Sequence, residues 1–547
     1  MEVMGLRSSG TLAGAPKPPG TCAAWQAVRV ILTGGTVVVP GRAPAAAVAV
    51  RDGVVVAVGT EDEVRVAARG ERVVDLDGRL ITPAFVDAHL HAVQAGLVEA
   101  GVELHDVGSV AELLARVRAY VARHPERSVV LGQGWDDRTW PEARPPTRAE
   151  LDEAGRGRAV YLARVDVHSA VVSTALLDAL PGVAGLTGFR GDGFLTQDAH
   201  HAARGGLDRL TTDAERRAAA ATVLEAALSL GVGEVHELGG PHLGPLADLT
   251  RVSDGGRDLG LRVVTYWGEE AGADAFDRMA EVGALGLAGD LCVDGALGSR
   301  TAALVDDYAD APGRGALYLD ADAATEHLRA CTERGISGGF HCIGDAGVAA
   351  AVEGLRRVAH DLGADRVRAA RHRLEHVEMV AASDLPLLAR LGVTASVQPA
   401  FDAEWGGPEG LYEQRVGARS GTMNPFASML HARVPVAFGT DAPVTPLAGW
   451  AMVRDAVRHQ RAAERVRPAE AFRCATVGGH VAAGDDRSGT LEVGAPAHLA
   501  VWDVAPDGLD PATGLPDLTG DGPLPACVAT VVDGRVAFDG AALLAPG

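Results

Sequence analysis

The chain contains one lysine, Lys17, and one asparagine, Asn424, among its 547 residues. A coding bias against both residues accounts for the pair, and the scarcity of lysine limits the metal chemistry open to the protein. The six cysteines, Cys22, Cys292, Cys331, Cys342, Cys474 and Cys527, form no C-x-x-C pair. That scatter argues against a disulfide scaffold and a zinc ribbon. No uninterrupted apolar run is long enough to span a bilayer. Positive charge is also short, with 50 Lys and Arg against 72 Asp and Glu and a net charge of -22. This balance speaks against nucleic acid and anionic membranes as partners, and we read it as a solubilising surface. Residues 1–26 are rich in Gly, Ala, Pro and Ser and lack the apolar core of a signal peptide; a disordered leader is expected there. A cytoplasmic location is the default expectation.

What is present suits a folded chain: 47% of residues are hydrophobic, and the length allows a large core and more than one domain. Both ends read as short strands. Residues 28–39, 46–58 and 73–80 are rich in β-branched side chains, with Gly turns or Asp-Gly pairs between them, and 498–504 and 529–539 have the same texture. The middle alternates. Helical patterns such as 212–230, 323–334, 346–362 and 385–391 each precede a short apolar run, and there are eight runs, at 80–91, 233–236, 261–267, 291–293, 336–341, 373–376, 393–397 and 434–439. Alternating strand and helix indicates a parallel sheet, and eight units suggest closure. The expected fold class is therefore α/β: a (β/α)8 TIM-like barrel with a small β-sandwich domain formed from both termini. The long gap after the first barrel strand predicts an inserted α/β subdomain, with a helix at 110–123 and a strand at 128–131. The expected division is 27–81 with 485–547 for the composite β-domain, 82–96 with 211–484 for the barrel, and 97–210 for the insert.

In such a barrel the C-terminal strand ends carry the chemistry. The first run ends in His89-Leu90-His91, whose i, i+2 spacing puts both imidazoles on one face of a strand. Two neutral imidazoles make a half-site for a borderline metal such as zinc. Alone, the pair is equally a solvated polar strand end. Later runs, however, end at Asp294, His341, His376 and Asp441.

These residues sit in a series of motifs: P-A-F-V-D-A-H-L-H (83–91), G-Q-G-W-D (132–136), D-G-A-L-G-S-R-T-A-A-L (294–304), H-C-I-G-D (341–345), R-L-E-H-V (373–377), S-V-Q-P (396–399) and G-T-D-A-P (439–443). With them the chain resembles the amidohydrolase superfamily, and most closely its branch of cytoplasmic metal-dependent hydrolases that includes N-substituted formamide deformylases. The resemblance covers about residues 28 to 540. It implies metal ligands at His89, His91, His341, His376 and Asp441, with a divalent metal, most simply Zn2+, that activates water. Asp441 would take the proton of that water and pass it to the leaving nitrogen.

One position departs from the family pattern. Many relatives place a bridging lysine, in carbamylated form, where this chain has Asp290. One ion is therefore expected, or a second held weakly by Asp290; the alternative is a solvated residue before the fourth strand. Further candidates are Trp135 and Asp136, closing over the barrel mouth from the insert, and His168, facing the site or buried structurally. Arg300 would orient a substrate carbonyl or carboxylate, or else pair with a neighbouring acid, and Gln398 would hydrogen-bond substrate. Glu375 is expected to point away from the pocket, and His236 to serve packing.

The implied activity is hydrolysis of non-peptide carbon–nitrogen bonds in a small-molecule substrate, a linear amide or formamide. A deaminase is the first alternative; deaminases of the superfamily carry a glutamate where this chain has Gly344, with an acid only at Asp345. A non-catalytic regulatory relative is the second, and a cyclic amide or lactone substrate stays open. Relatives are often dimers, so a homodimer is an expectation.

Overall fold

Runs of β-branched residues at the two ends of the chain pair with one another. The protein is described here by a computed structural model covering residues 28–504 and 508–544; the expected leader, with Lys17 and Cys22, lies outside the described residues. One terminal sheet has the strand order Val54–Gly59, Ala47–Arg51, Val30–Thr33, Arg72–Asp75. The other runs Thr36–Val37, Leu80–Pro83, Leu499–Asp503, Ala526–Val532, Arg535–Asp539. Its central pairing joins the two ends of the chain, with Leu499 opposite Pro83 and Trp502 opposite Leu80. Val30, Leu32, Val48 and Val50 share one apolar cluster with Leu499, Val501 and Val531, which is the burial that makes this pairing favourable.

The middle of the chain supplies eight parallel strands, β1 (Phe85–Leu90), β2 (Val232–Gly239), β3 (Arg262–Trp267), β4 (Gly286–Leu287), β5 (Ser337–Cys342), β6 (Arg373–His376), β7 (Thr394–Val397) and β8 (Val436–Phe438). Hydrogen bonding orders them β3-β2-β1 and β4-β5-β6-β7-β8. Both junctions between these groups are bonded. Leu285 N–H donates to Thr265 O at 2.8 Å, and His91 N–H to Ala442 O at 2.9 Å. The arrangement is α/β and TIM-barrel-like. The fourth strand lies earlier than expected: it is β4, and the run 291–293 makes only an isolated bridge from Cys292 to His341. Asp290 consequently follows its strand and does not precede it. Among the described residues no helix is long and apolar enough to cross a membrane.

After β1 the chain detours through a five-stranded sheet ordered Phe194–Thr196, Ser169–Val172, Ala159–Arg164, Val129–Trp135, Val102–Glu103. The helix Val110–Arg123, opened by a Ser109 cap that accepts from Glu112 N–H, buries Leu113 and Val117 against this sheet. Trp135 is 0% exposed in the same cluster, and its indole N–H donates to Leu162 O at 3.0 Å. It builds the core of the insert and does not close over the barrel mouth.

Candidate metal centre

Three turns at strand ends bring the candidate ligands together. β1 delivers His89 and His91. Beside it the chain leaves β8 through Gly439, where a Cβ would stand 2.5 Å from the His89 amide nitrogen, so only glycine allows this approach. Asp87 locks the two strand ends by accepting from Thr440 N–H at 2.9 Å and Thr440 Oγ1–H at 2.5 Å. Asp441 follows at φ 56°, a left-handed conformation that turns its carboxylate back toward β1. β6 ends with His376 at φ 68°, which breaks strand alternation there.

The side chains converge. His91 Nε2 lies 3.2 Å from Asp290 Oδ2 and 3.1 Å from Asp441 Oδ1. His89 Nε2 lies 3.5 Å from Asp290 Oδ1 and 3.4 Å from Asp441 Oδ1, and His341 Nδ1 is 3.7 Å from Asp290 Oδ1. Ligand atoms of His89, Asp290 and His376 all fall within 4.8 Å of one another, as do those of His89, His91 and Asp441. Asp290 is thus buried at the centre, not solvated. His89 Nε2, His341 Nδ1, Asp290 Oδ1 and Asp441 Oδ1 are buried and form no hydrogen bond. Buried polar atoms normally find partners. A cluster of imidazole nitrogens and carboxylate oxygens left unpaired while facing one another is the donor set a divalent cation of the zinc type requires, so the residues fit such an ion.

The opposite ring nitrogens of His89, His376 and His341 are pinned, whereas His91 Nδ1 has no hydrogen-bond partner. His89 Nδ1–H donates to Glu375 Oε2 at 2.8 Å, His376 Nδ1–H to Gln398 Oε1 at 2.8 Å, and His341 Nε2–H to Gly295 O at 3.4 Å. Each bond fixes the tautomer and aims the other nitrogen inward. Glu375 is held by Arg373, whose Nε lies 2.5 Å from Oε1 and Nη2 3.0 Å from Oε2. The expectation that Glu375 points away is corrected, because the left-handed His376 abolishes the period-2 alternation on which it rested. Gln398 accepts from His376 with its carbonyl oxygen, while its amide nitrogen is buried without a hydrogen-bond partner. His236 packs inside, with Nδ1 3.2 Å from Arg373 Nη1.

Electrostatics agree with a cation site. Burial pushes the Asp441 carboxyl up, yet the fields and hydrogen bonds of His89 and His91 outweigh it and hold the group far below the usual range. Burial pushes His91 down, but Asp290 and Asp441 raise it to about 9, which measures how strongly this spot attracts positive charge. Burial against His341 lowers His376 to about 3.

A cleft of about 370 Å³ opens beside the centre, with His341, His376 and Asp441 in its floor and Phe401, Trp405 and Tyr412 in its wall. His168 lines it too, its ring 5.1 Å from that of His341. Two acids in the lining escaped the sequence reading. Asp166 is 4% exposed and neither carboxylate oxygen is hydrogen-bonded, with Oδ1 3.6 Å from Arg164 Nη1; Glu378 is pushed up to about 8 by burial. Glu375 had a readable signal, since Arg373 and Glu375 at i, i+2 form a charge pair within an apolar strand. Asp166 and Glu378 had none.

Two other candidates lie elsewhere. Asp136 accepts from Arg164 Nη2–H at 2.6 Å and Arg138 Nε–H at 2.7 Å, an ion-pair role at the base of the insert. Arg300 is half-exposed and forks onto Asp310 at 3.0 and 2.8 Å, as its alternative reading held. Asp294, also a strand-end candidate, accepts from the amides of Ala303, Ile343 and Gly344 at 2.8–2.9 Å and shapes the turn after β5.

Together these features define a metal-dependent hydrolase of TIM-barrel-like build. The amidohydrolase family model matches residues 72–538. The chain therefore belongs to the amidohydrolase family and is a hydrolase acting on carbon–nitrogen bonds. It is 25% identical to the N-substituted formamide deformylase of Arthrobacter pascens, over 86% of this chain and 92% of that protein. It is 26% identical to the protein LONG AFTER FAR-RED 3 of Arabidopsis thaliana, over 71% and 70%. An uncharacterized metal-dependent hydrolase from Pyrococcus furiosus superposes with a TM-score of 0.69 at 26% identity, covering 87% of this chain and 99% of that one.

Proposed function

We propose that the protein hydrolyses a linear amide or formamide of a small molecule at a zinc centre held by His89, His91, His341, His376 and Asp441, with Asp290 as a further contact. The observation that carries this reading is the convergence of unpaired buried imidazole and carboxylate atoms on the floor of an aromatic-walled cleft. A bound zinc ion supplies polarisation of the carbonyl and activation of water. Asp441, kept ionised by its imidazole neighbours, accepts the proton and returns it to the departing nitrogen. Glu375 and Gln398 hold His89 and His376 in the required tautomers. Phe401, Trp405 and Tyr412 exclude water from the substrate body, and Asp166, beside Arg164 but not hydrogen-bonded, offers an acceptor to a substrate N–H. His168, kept neutral by burial, adds a donor or acceptor beside His341.

Deamination is the weaker reading. Asp345 accepts from Val305 N–H at 2.8 Å and Ala346 N–H at 3.0 Å, so the acid that follows Gly344 is bonded to backbone at the first position of a helix. The same proposal reads the eight strands as one closed (β/α)8 barrel spanning 82–96 and 211–484, a β-sandwich domain of 27–81 with 485–547, and an insert of 97–210. It places the protein in the cytoplasm, as a homodimer that binds neither nucleic acid nor membrane. The test is product analysis on N-formyl and N-acyl amines with zinc-, manganese- and cobalt-loaded protein. Formate or carboxylate released with amine supports amide hydrolysis. Ammonia alone from amine substrates means deamination, and no turnover together with no metal uptake means a regulatory protein.

A further inference from the structure

A second cavity, with about 490 Å³ of space open to solvent at its mouth, lies between the insert and the helix that follows His91. Its polar lining consists of Gln94, Gln133, Tyr161, Arg204 and Arg216, and the rest is chiefly apolar. Four of these five are already occupied. Gln94 Nε2–H donates to Leu243 O at 2.6 Å and Gln133 Nε2–H to Pro443 O at 2.5 Å. Tyr161 OH meets His200 Nε2 at 2.8 Å, and Arg216 pairs with Asp248 at 2.9 Å and Thr211 at 3.0 Å.

Arg204 is the exception. It is only 8% exposed, and it has no hydrogen bond or ion pair among the described residues. The imidazoles that feel its charge, His200, His201 and His242, are never anionic, so none of them offsets it. A buried guanidinium without a counter-ion is costly, and its planar fork matches a carboxylate with two parallel hydrogen bonds.

We propose that this cavity binds a small amphiphilic carboxylate, its charged end on Arg204 and its aliphatic body against Leu131 and Leu207. The site stands independently of the hydrolytic reading. Its wall includes Pro443, two residues beyond Asp441, so the carboxylate is either an arm of the enzyme's own substrate or a separate monocarboxylate. Competition kinetics separate these sources: hexanoate raises KM alone in the first case and changes kcat in the second.

The deciding experiment is calorimetric titration of the full-length metal-loaded protein with hexanoate and with 1-hexanol. Hexanoate is expected to bind at least about tenfold tighter than the alcohol and to lose about tenfold or more in Arg204→Met, with partial recovery in Arg204→Lys. Leu207→Trp, which fills the cavity and leaves the guanidinium in place, should abolish hexanoate binding and decides the matter if Arg204→Met fails to fold. Equal affinity for acid and alcohol, or no binding of hexanoate, overturns the proposal. So does binding that persists in Arg204→Met and vanishes on metal chelation, because the anion then sits on the metal.

Discussion

Glu375→Gln probes the support of the centre without touching a ligand. Glu375 is fully buried, accepts from His89 at 2.8 Å and receives two hydrogen bonds from Arg373, which is also 0% exposed. Burial raises the carboxyl, but Arg373 and His89 together bring it down to about 2, so it is ionised at every working pH. A glutamine can satisfy either His89 or Arg373 with its one carbonyl oxygen. Its amide group then faces the other partner as donor against donor. Breaking one side of a buried ion pair costs about 3–5 kcal/mol. Loss of the partner that orients a ligating histidine typically lowers metal affinity about 10- to 100-fold. Urea unfolding of the chelated variant should report the first figure, and chelator competition on the folded protein the second. A variant whose stability and zinc affinity both match the wild type would refute the claim that Glu375 orients His89.

Other perturbations follow from the same geometry. Asp441→Asn should lower kcat about 10²- to 10⁴-fold, measured by product release at saturating substrate; retention of full kcat would remove Asp441 from proton transfer. Arg300→Ala should leave kcat/KM unchanged and cost less than about 1 kcal/mol in urea unfolding, because its pair with Asp310 is half-exposed; a tenfold loss of activity would return Arg300 to the site. Burial lowers His327 and His372 to about 4 each, so between pH 6.5 and 4 the unfolded chain binds their protons first. Their contribution is fully present above pH 6.5, and about 2 kcal/mol per residue is lost by pH 5. Scanning calorimetry of chelated His372→Gln should therefore show a shallower fall in Tm from pH 7 to pH 5 than wild type, and an unchanged slope contradicts the assignment.

The order of the candidate ligands was legible because strand-end histidines and Asp441 recur after apolar runs. Asp290 was legible as a departure and as a weak candidate ligand, but not as a residue that follows its strand, since the two-residue β4 left nothing for periodicity to detect. Glu375 was misread because a single left-handed residue, His376, reverses the facing that alternation implies. Trp135 and Asp136 follow Gly134 in a motif that looks like a site; burial among Val160, Leu162 and Trp140 makes the tryptophan core, and burial is a tertiary property. Arg300 and Gln398 were ambiguous in the sequence for a shared reason. A polar side chain near a centre can bond protein or substrate, and only the positions of Asp310 and His376 decide which.

Metal content per chain tests the central claim most directly. Protein stripped with a chelator, dialysed against zinc and freed of excess ion should carry one tightly held ion by mass spectrometry, and a His89→Ala, Asp441→Ala double variant that still folds should carry none. A wild-type chain that refuses zinc, manganese and cobalt alike, or a double variant that binds zinc as the wild type does, contradicts the account.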